Sequence, residues 1–364
     1  MSKFMMIMRN KFIRNKLSKR LLALGSVLFS MLFTVLFSLL YVTSSMVNAQ
    51  SMATGLNYDP DNVTVSGLSS GGYMATQMHV AHSDSINGAA ILAAGPYYCA
   101  QGSIGTALAR CVTKTDSPID LTLLNEQLDY YEKQGWIDAL TNLKDDKVWL
   151  LHGQQDETVN RLAADALYTQ YSGMVPAQNI QYIKDQPFGH QFPTDSKGTE
   201  CGLSQTPFIG QCNYDAAGQL LTHLIGSLRP KTKQASGKIV KFDQREYGGD
   251  EAKSLADHGY IYIPQQCASG DACQLHISFH GCNQNEDAIG MAYIQDTGLN
   301  EWADTNRLII LYPQTKSSIF APLNPQGCWD WWGYTDRYYA TQKGPQIKAI
   351  HTMINTFVHK FPKK

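Results

Sequence analysis

A mostly parallel α/β fold is what this chain predicts, on three observations. Short apolar runs rich in β-branched residues alternate with helical stretches along most of its length. A Gly-rich turn centred on a serine joins the first of these runs to a helix. No internal repeat, low-complexity tract or Thr/Pro-rich linker divides the 364 residues into separate modules.

Residues 1–49 read as an export signal rather than as part of the fold. Lys3, Arg9, Lys11, Arg14, Lys16, Lys19 and Arg20 form a basic start without acidic residues, "LLALGSVLFSMLFTVLFSLLYV" follows, and "VNA" places small residues before Gln50. The apolar run is long enough to span a bilayer, so an uncleaved anchor is the alternative to cleavage. Either way the folded part is expected outside the cytoplasm, secreted or extracellular, with the periplasm as the other oxidising location. With seven of the 30 Lys and Arg in that segment, the remaining 23 face 31 Asp and Glu, a net charge of −8. That acidic balance argues against a nucleic-acid partner. The mature form is expected to be a monomer with no membrane partner. All eight cysteines lie after residue 49, as a disulfide framework would have them. Short loops favour Cys99–Cys111, Cys201–Cys212 and Cys267–Cys273, which leaves Cys282 with Cys328.

In chain order, "NVTVSG" (62–67) predicts a strand and "YMATQMHVAH" (73–82) a helix. "GAAILAAG" (88–95) is a second strand, 121–143 helical, "KVWLLHG" (147–153) a third strand and 160–172 helical again. The polar stretch 227–249 is read as an internal connection. Beyond it, "GYIYIP" (259–264), "LHISFHG" (275–281) and "RLIILYP" (307–313) predict three more strands, and 343–360 predicts a helix.

The chemistry starts at "GLSSG", Gly67–Gly71, which fits G-x-S-x-G with Ser69 at its centre. Such a serine sits on a strained strand-to-helix turn, and the glycines avoid clashes two positions away. The bland alternative is a Gly-rich turn, but the strand before and the helix after favour a nucleophile. In this arrangement the acid and the base follow the serine in that order. Asp156 lies in the loop after the third strand, and His190 lies in "FGHQFPTD". Asp145 and Asp146 precede their strand, and Asp185 and Asp195 follow none, so Asp156 is preferred as the acid.

A loop that helps stabilise the oxyanion normally precedes the nucleophile. Here the candidate, "FHGCNQN" (279–285), comes about ninety residues after His190. A circular permutation accounts for that order: the strands after residue 258 would join those of the first half in one sheet, with helix 343–360 beside "NVTVSG". Cys273, His276, His280 and Cys282 suggest a zinc site, but strand alternation turns Cys273 away from both histidines, so no metal is expected. No cofactor is expected either. In "NPQGCWDWWGYTDRYY" the aromatics outnumber what one core face needs, so Trp329, Trp331, Trp332 and Tyr334 are candidates to line an apolar cleft.

These motifs, in this order, resemble the single-domain, circularly permuted extracellular poly(3-hydroxybutyrate) depolymerases. The likeness extends over roughly residues 55–360. It implies an α/β-hydrolase fold, with 50–364 as one permuted catalytic domain, and serine esterase chemistry on a short-chain polyhydroxyalkanoate. It implies Ser69, Asp156 and His190 as the triad and the N–H groups of Ser70 and Cys282 as the oxyanion hole. It also implies a tryptophan, first of all Trp332, at the substrate cleft. Without an appended polymer-binding module, adsorption to a solid polymer would fall to exposed aromatics of the same domain. Two alternatives remain at this level: a feruloyl or acetyl esterase on polysaccharide, and a non-catalytic binding protein on the same fold.

Overall fold

The computed structural model describes residues 55–113 and 118–361, so the expected export segment 1–49 lies outside the described residues. In chain order the strands are β1 (Tyr58–Leu68), β2 (Ile86–Leu92), β3 (Lys147–Leu151), β4 (Ile180–Ile183), β5 (Phe192–Thr194) and β6 (Thr199–Glu200). There follow β7 (Ile209–Gln211), β8 (Lys238–Asp243), β9 (His258–Ile263), β10 (Cys273–Phe279) and β11 (Leu308–Tyr312). The longer helices are α1 (Ser70–Ala81), α2 (Thr122–Lys133), α3 (Arg161–Ser172), α4 (Ala216–Ile225), α5 (Leu299–Asn306) and α6 (Pro345–Phe357).

Eight strands form one sheet in the order β4-β3-β2-β1-β10-β11-β9-β8, and β5, β7 and β6 form a small second sheet. From β4 to β11 every pairing is parallel, and only β9 runs against its two neighbours. The α/β class is therefore as the sequence predicts. Both faces of the sheet are covered. Ile309 and Leu311 enter one hydrophobic cluster, while Leu308, Ile310 and Tyr312 of the same strand enter the other. Val148 and Leu150 likewise oppose Trp149 and Leu151. A strand buried on both sides reads as a continuous apolar run, which is why these segments were legible in the sequence.

Two expectations need correction. The stretch 227–249 is not only a connection, because it contains β8, the edge strand paired with β9 alone. Of its side chains only Phe242 is buried, and Lys238 and Lys241 face solvent; this polar edge hides the strand's periodicity. Helix α2 also stops ten residues short of the predicted 143. Gly135 takes a positive φ of 61° and ends it, and a separate 3₁₀ turn, Leu140–Asp145, follows.

The two halves of the chain meet at the middle of the sheet, where β1 lies beside β10. The start of β1 is also tied to the end of α6. Leu56 N–H donates to Phe357 O at 2.7 Å, and the Tyr58 hydroxyl donates to Ile354 O. All four expected disulfides are present: Cys99–Cys111, Cys201–Cys212, Cys267–Cys273 and Cys282–Cys328. Among the described residues no helix is long and apolar enough to cross a membrane.

Candidate active site

Ser69 stands in the single-residue gap between β1 and α1, with φ 57° and ψ −121°. Its N–H donates to Leu92 O at the end of β2 at 2.9 Å, and its carbonyl accepts Tyr73 N–H at 3.0 Å. The turn needs its two flanking glycines. A Cβ on Gly67 would lie 2.1 Å from Gly71 O, and one on Gly71 would lie 2.1 Å from Phe279 O at the end of β10. Ser69 does not cap α1 with its side chain. The first N–H groups of that helix are therefore not used by a cap, and the positive end of the helix dipole points to the same place.

Asp156 occupies the loop after β3. Its Oδ1 accepts the N–H groups of Thr158 and Val159, both at 2.9 Å, and its Oδ2 accepts Nδ1–H of His190 at 2.8 Å. The carboxylate is fully buried. Burial pushes this carboxyl up, but the His190 charge and hydrogen bond, His152 and the Val159 N–H outweigh it and hold it below the usual carboxylate range. Donation through Nδ1 leaves Nε2 as the basic nitrogen of His190. The rival acids are engaged elsewhere: Asp146 with His79 at 3.0 Å and Asp195 with Lys231 at 2.6 Å. Asp185 accepts from Gln186, and Asp145 lies near Lys144 on the surface.

The His190 loop is braced on both sides. Its N–H donates to Ser204 Oγ at 2.7 Å, β5 begins two residues later, and Cys201–Cys212 closes the segment that carries β7, starting just after β6.

Ser69 and His190 line one cleft of about 370 Å³. Gly281, Cys282, Asn283 and Gln284 line it from the end of β10. Gly281 N–H donates to Gln284 Oε1 at 2.7 Å, and Gln284 Nε2–H donates onward to the carbonyls of Pro207 and Phe208. Asn283, with a positive φ of 55°, donates to Gln326 O at 2.7 Å. The loop is thus held on three sides: by Gln284, by Gln326 and by the Cys282–Cys328 disulfide. The Cys282 N–H meets no acceptor among the described residues.

The aromatic candidates divide. Trp331 and Trp332 line the cleft. Trp331 stacks on Tyr73, with centroids 4.1 Å apart, and Trp332 leans on Tyr334 at 4.9 Å. Trp329 and Tyr334 are not in the lining. Trp329 is fully buried against Phe279, and its backbone N–H donates to Ser70 Oγ at 3.4 Å. The Tyr334 hydroxyl is turned away to Cys328 O. The turn itself is organised by Asp330, whose carboxylate accepts the N–H groups of Gly333, Tyr334 and Thr335.

Of the four residues of the zinc alternative, Cys273 and Cys282 are held in disulfides. His276 is engaged by Thr64 and Ser66, both at 2.8 Å. Sequence reasoning missed Tyr73, Ile104, Leu108, Val112, Ser204, Phe208 and Gln284 in the lining. Tyr73, four residues after Ser69 on α1, follows from helical spacing. Ile104 and Leu108 are an exposed apolar pair at the same spacing, in a segment closed by Cys99–Cys111.

No family model matches the chain. Over 314 residues it is 40% identical to the poly(3-hydroxybutyrate) depolymerase of Delftia acidovorans, covering 85% of this chain and 62% of that protein. The chain therefore spans less than two thirds of that relative. Over 334 residues it is 38% identical to the polyhydroxybutyrate depolymerase of Talaromyces funiculosus, covering 86% of this chain and 95% of that protein. The crystal structure of PHB depolymerase from Penicillium funiculosum matches with a TM-score of 0.78 and 36% identity, over 84% of this chain and 98% of that one. A serine-to-alanine PHB depolymerase complexed with an R3HB trimer matches with a TM-score of 0.78 and 35% identity over the same shares.

Proposed function

The chain belongs to the poly(3-hydroxybutyrate) depolymerase family, and from that premise we propose that it hydrolyses ester bonds of poly(3-hydroxybutyrate) or a related short-chain polyhydroxyalkanoate through an acyl-enzyme on Ser69. The observation that carries the reading is that His190, hydrogen-bonded to the buried Asp156 at 2.8 Å, lines the same cleft as Ser69. His190 Nε2 takes the Ser69 proton as the serine oxygen attacks the ester carbonyl. Asp156 holds the tautomer and stabilises the imidazolium. The N–H groups of Ser70 and Cys282 receive the oxyanion. His190 then gives the proton to the departing hydroxyacid alcohol, and water releases the acyl group by the same steps in reverse. No metal or cofactor enters this scheme.

The relative bound to an R3HB trimer supports a hydroxyacid oligomer as the occupant of the cleft, with Trp331, Trp332 and Tyr73 along its chain. Adsorption to a solid surface falls to apolar side chains in solvent, the aromatic Phe320 among them. Ile319, Phe320 and Leu323 are 74%, 77% and 61% exposed, on the loop that leads to Gln326 and Cys328 of the cleft. Exchanging all three for serine should lower film hydrolysis about tenfold or more while leaving hydrolysis of a soluble ester unchanged. Four disulfides mark an oxidising compartment, in keeping with export directed by residues 1–49 and release of the single catalytic domain 50–364. In the proposed permutation, β8–β11 stand for the strands that come first in an unpermuted relative.

The test is hydrolysis of poly(3-hydroxybutyrate) film and of p-nitrophenyl butyrate by the purified chain and by Ser69→Ala. The expected result is release of 3-hydroxybutyrate oligomers, with a loss of order 10⁴ or more in the variant. Near-full activity in a folded Ser69→Ala would remove the nucleophile. Cleavage of the small ester alone would move a feruloyl or acetyl esterase to the front, and no cleavage of either would leave a binding protein.

A further inference from the structure

At the end of α1 opposite Ser69, an imidazole and two carboxylates from separated parts of the chain converge. One ring nitrogen of His82 and one oxygen from each of Asp84 and Asp138 lie within 4.8 Å of one another. His82 is 94% buried, and its Nε2 has no hydrogen-bond partner among the described residues. Its ring lies flat on that of His351 in α6, with centroids 3.9 Å apart and planes 5° apart. Asp138 accepts the Asp84 N–H at 3.2 Å and the Gln342 side-chain N–H at 2.6 Å. Among the described residues neither Asp84 nor Asp138 is paired with a lysine or arginine.

The chemistry of these groups asks for a cation. Two carboxylates held side by side repel, and the carbonyl end of α1 adds negative potential where His82 closes the helix. A buried ring nitrogen without a partner is costly in a protein interior, and a metal ion satisfies it. We propose that His82, Asp84 and Asp138 form a binding site for a divalent transition ion of the Zn²⁺ class. Imidazole nitrogen with carboxylate oxygen suits Zn²⁺, and a hard ion such as Mg²⁺ would want an all-oxygen shell. Ligands about 2.1 Å from an ion stand about 3.4 Å apart in tetrahedral geometry. Asp84, being exposed, can rotate inward to close the difference, and water completes the shell on its open side.

The site is structural in purpose. The twelve residues of α1 put it about 18 Å from Ser69. It would link the end of the helix that carries the nucleophile to the turn at Asp138, with α6 stacked against it through His351. It does not depend on the esterase reading.

The experiment is Zn²⁺ titration of the chelator-treated full chain by calorimetry, with thermal unfolding in parallel. One ion per chain should bind saturably, and the melting temperature should rise with free Zn²⁺. Asp84→Asn should weaken binding about tenfold or more, and Asp84→Asn/Asp138→Asn should abolish it. Metal-free Asp84→Asn should keep wild-type activity on p-nitrophenyl butyrate. Absence of saturable binding up to about 1 mM Zn²⁺ overturns the proposal. So does equal affinity in the double variant, which would put the ion on another of the ten histidines. If the double variant does not fold, Asp84→Asn, at an exposed position, decides alone.

Discussion

Ser69 is held at a positive φ that a non-glycine residue rarely adopts. Local preference does not keep it there. The hydrogen bond to β2, the glycine contact beneath it and the start of α1 do. Other single residues, in β10 and just past its end, carry a cost that appears with pH. His276 and His280 are completely buried, and burial pushes their imidazoles down to about 3 and about 4, from an ordinary value of 6.5. Both are neutral in the folded protein, whereas the unfolded chain protonates them below pH 6.5. The unfolded state therefore binds more protons in that range, and stability falls as pH drops. Each histidine removes up to about 1.4 kcal/mol per pH unit until its folded value is reached. The melting temperature should thus fall steeply between pH 6.5 and 4, as calorimetry would record, and a flat profile would contradict the neutral, buried assignment.

At the scale of elements, the candidate catalytic groups sit at the ends of β1, β3 and β10 and, for His190, between β4 and β5, each segment fastened by something other than its strand. The Cys282–Cys328 bond joins the loop after β10 to the tryptophan turn, and it closes a segment of 46 residues. Chain-entropy arguments put its contribution at about 4 kcal/mol. Cys282→Ala/Cys328→Ala should lower the melting temperature by several degrees and reduce kcat, because the Cys282 N–H loses its fixed direction. A variant with lower stability but unchanged kcat would show that Gln284 and Gln326 suffice to hold the loop. The same loops show where sequence reading works. Ser69, Asp156 and His190 were legible because each lies just past an apolar run or in a Gly/Pro-bounded loop. The separation of Trp331 and Trp332 from Trp329 was not. All three are identical in composition and adjacent in sequence, and only the turn held by Asp330 decides which rings face the cleft.

For the whole molecule, strands from both halves of the chain share one sheet, and the start of β1 is hydrogen-bonded to the end of α6. If the order of the motifs reflects a permutation, the cut should be movable. A chain joined from residue 361 to residue 55 through a short flexible linker, and opened within 227–233, should fold. Its esterase activity should stay within about tenfold of the parent, since termini that lie close in space make such a cut inexpensive. An insoluble or inactive product, measured beside the parent by circular dichroism and p-nitrophenyl butyrate hydrolysis, would count against that reading.

By itself the sequence determined the α/β class, the six strands buried on both faces, the four cysteine pairs and the three residues proposed for the triad. Each of these rests on a local pattern: period, β-branching, loop length or a glycine turn. Tertiary structure alone decided the edge strand β8, the end of α2, the lining from residues 104–112 and the meeting of His82 with Asp84 and Asp138. In those places a polar or exposed stretch carries no periodic signal, and what a residue touches depends on segments up to hundreds of positions away. Local chemistry is written in the order of the residues, and their company is set only when the sheet closes.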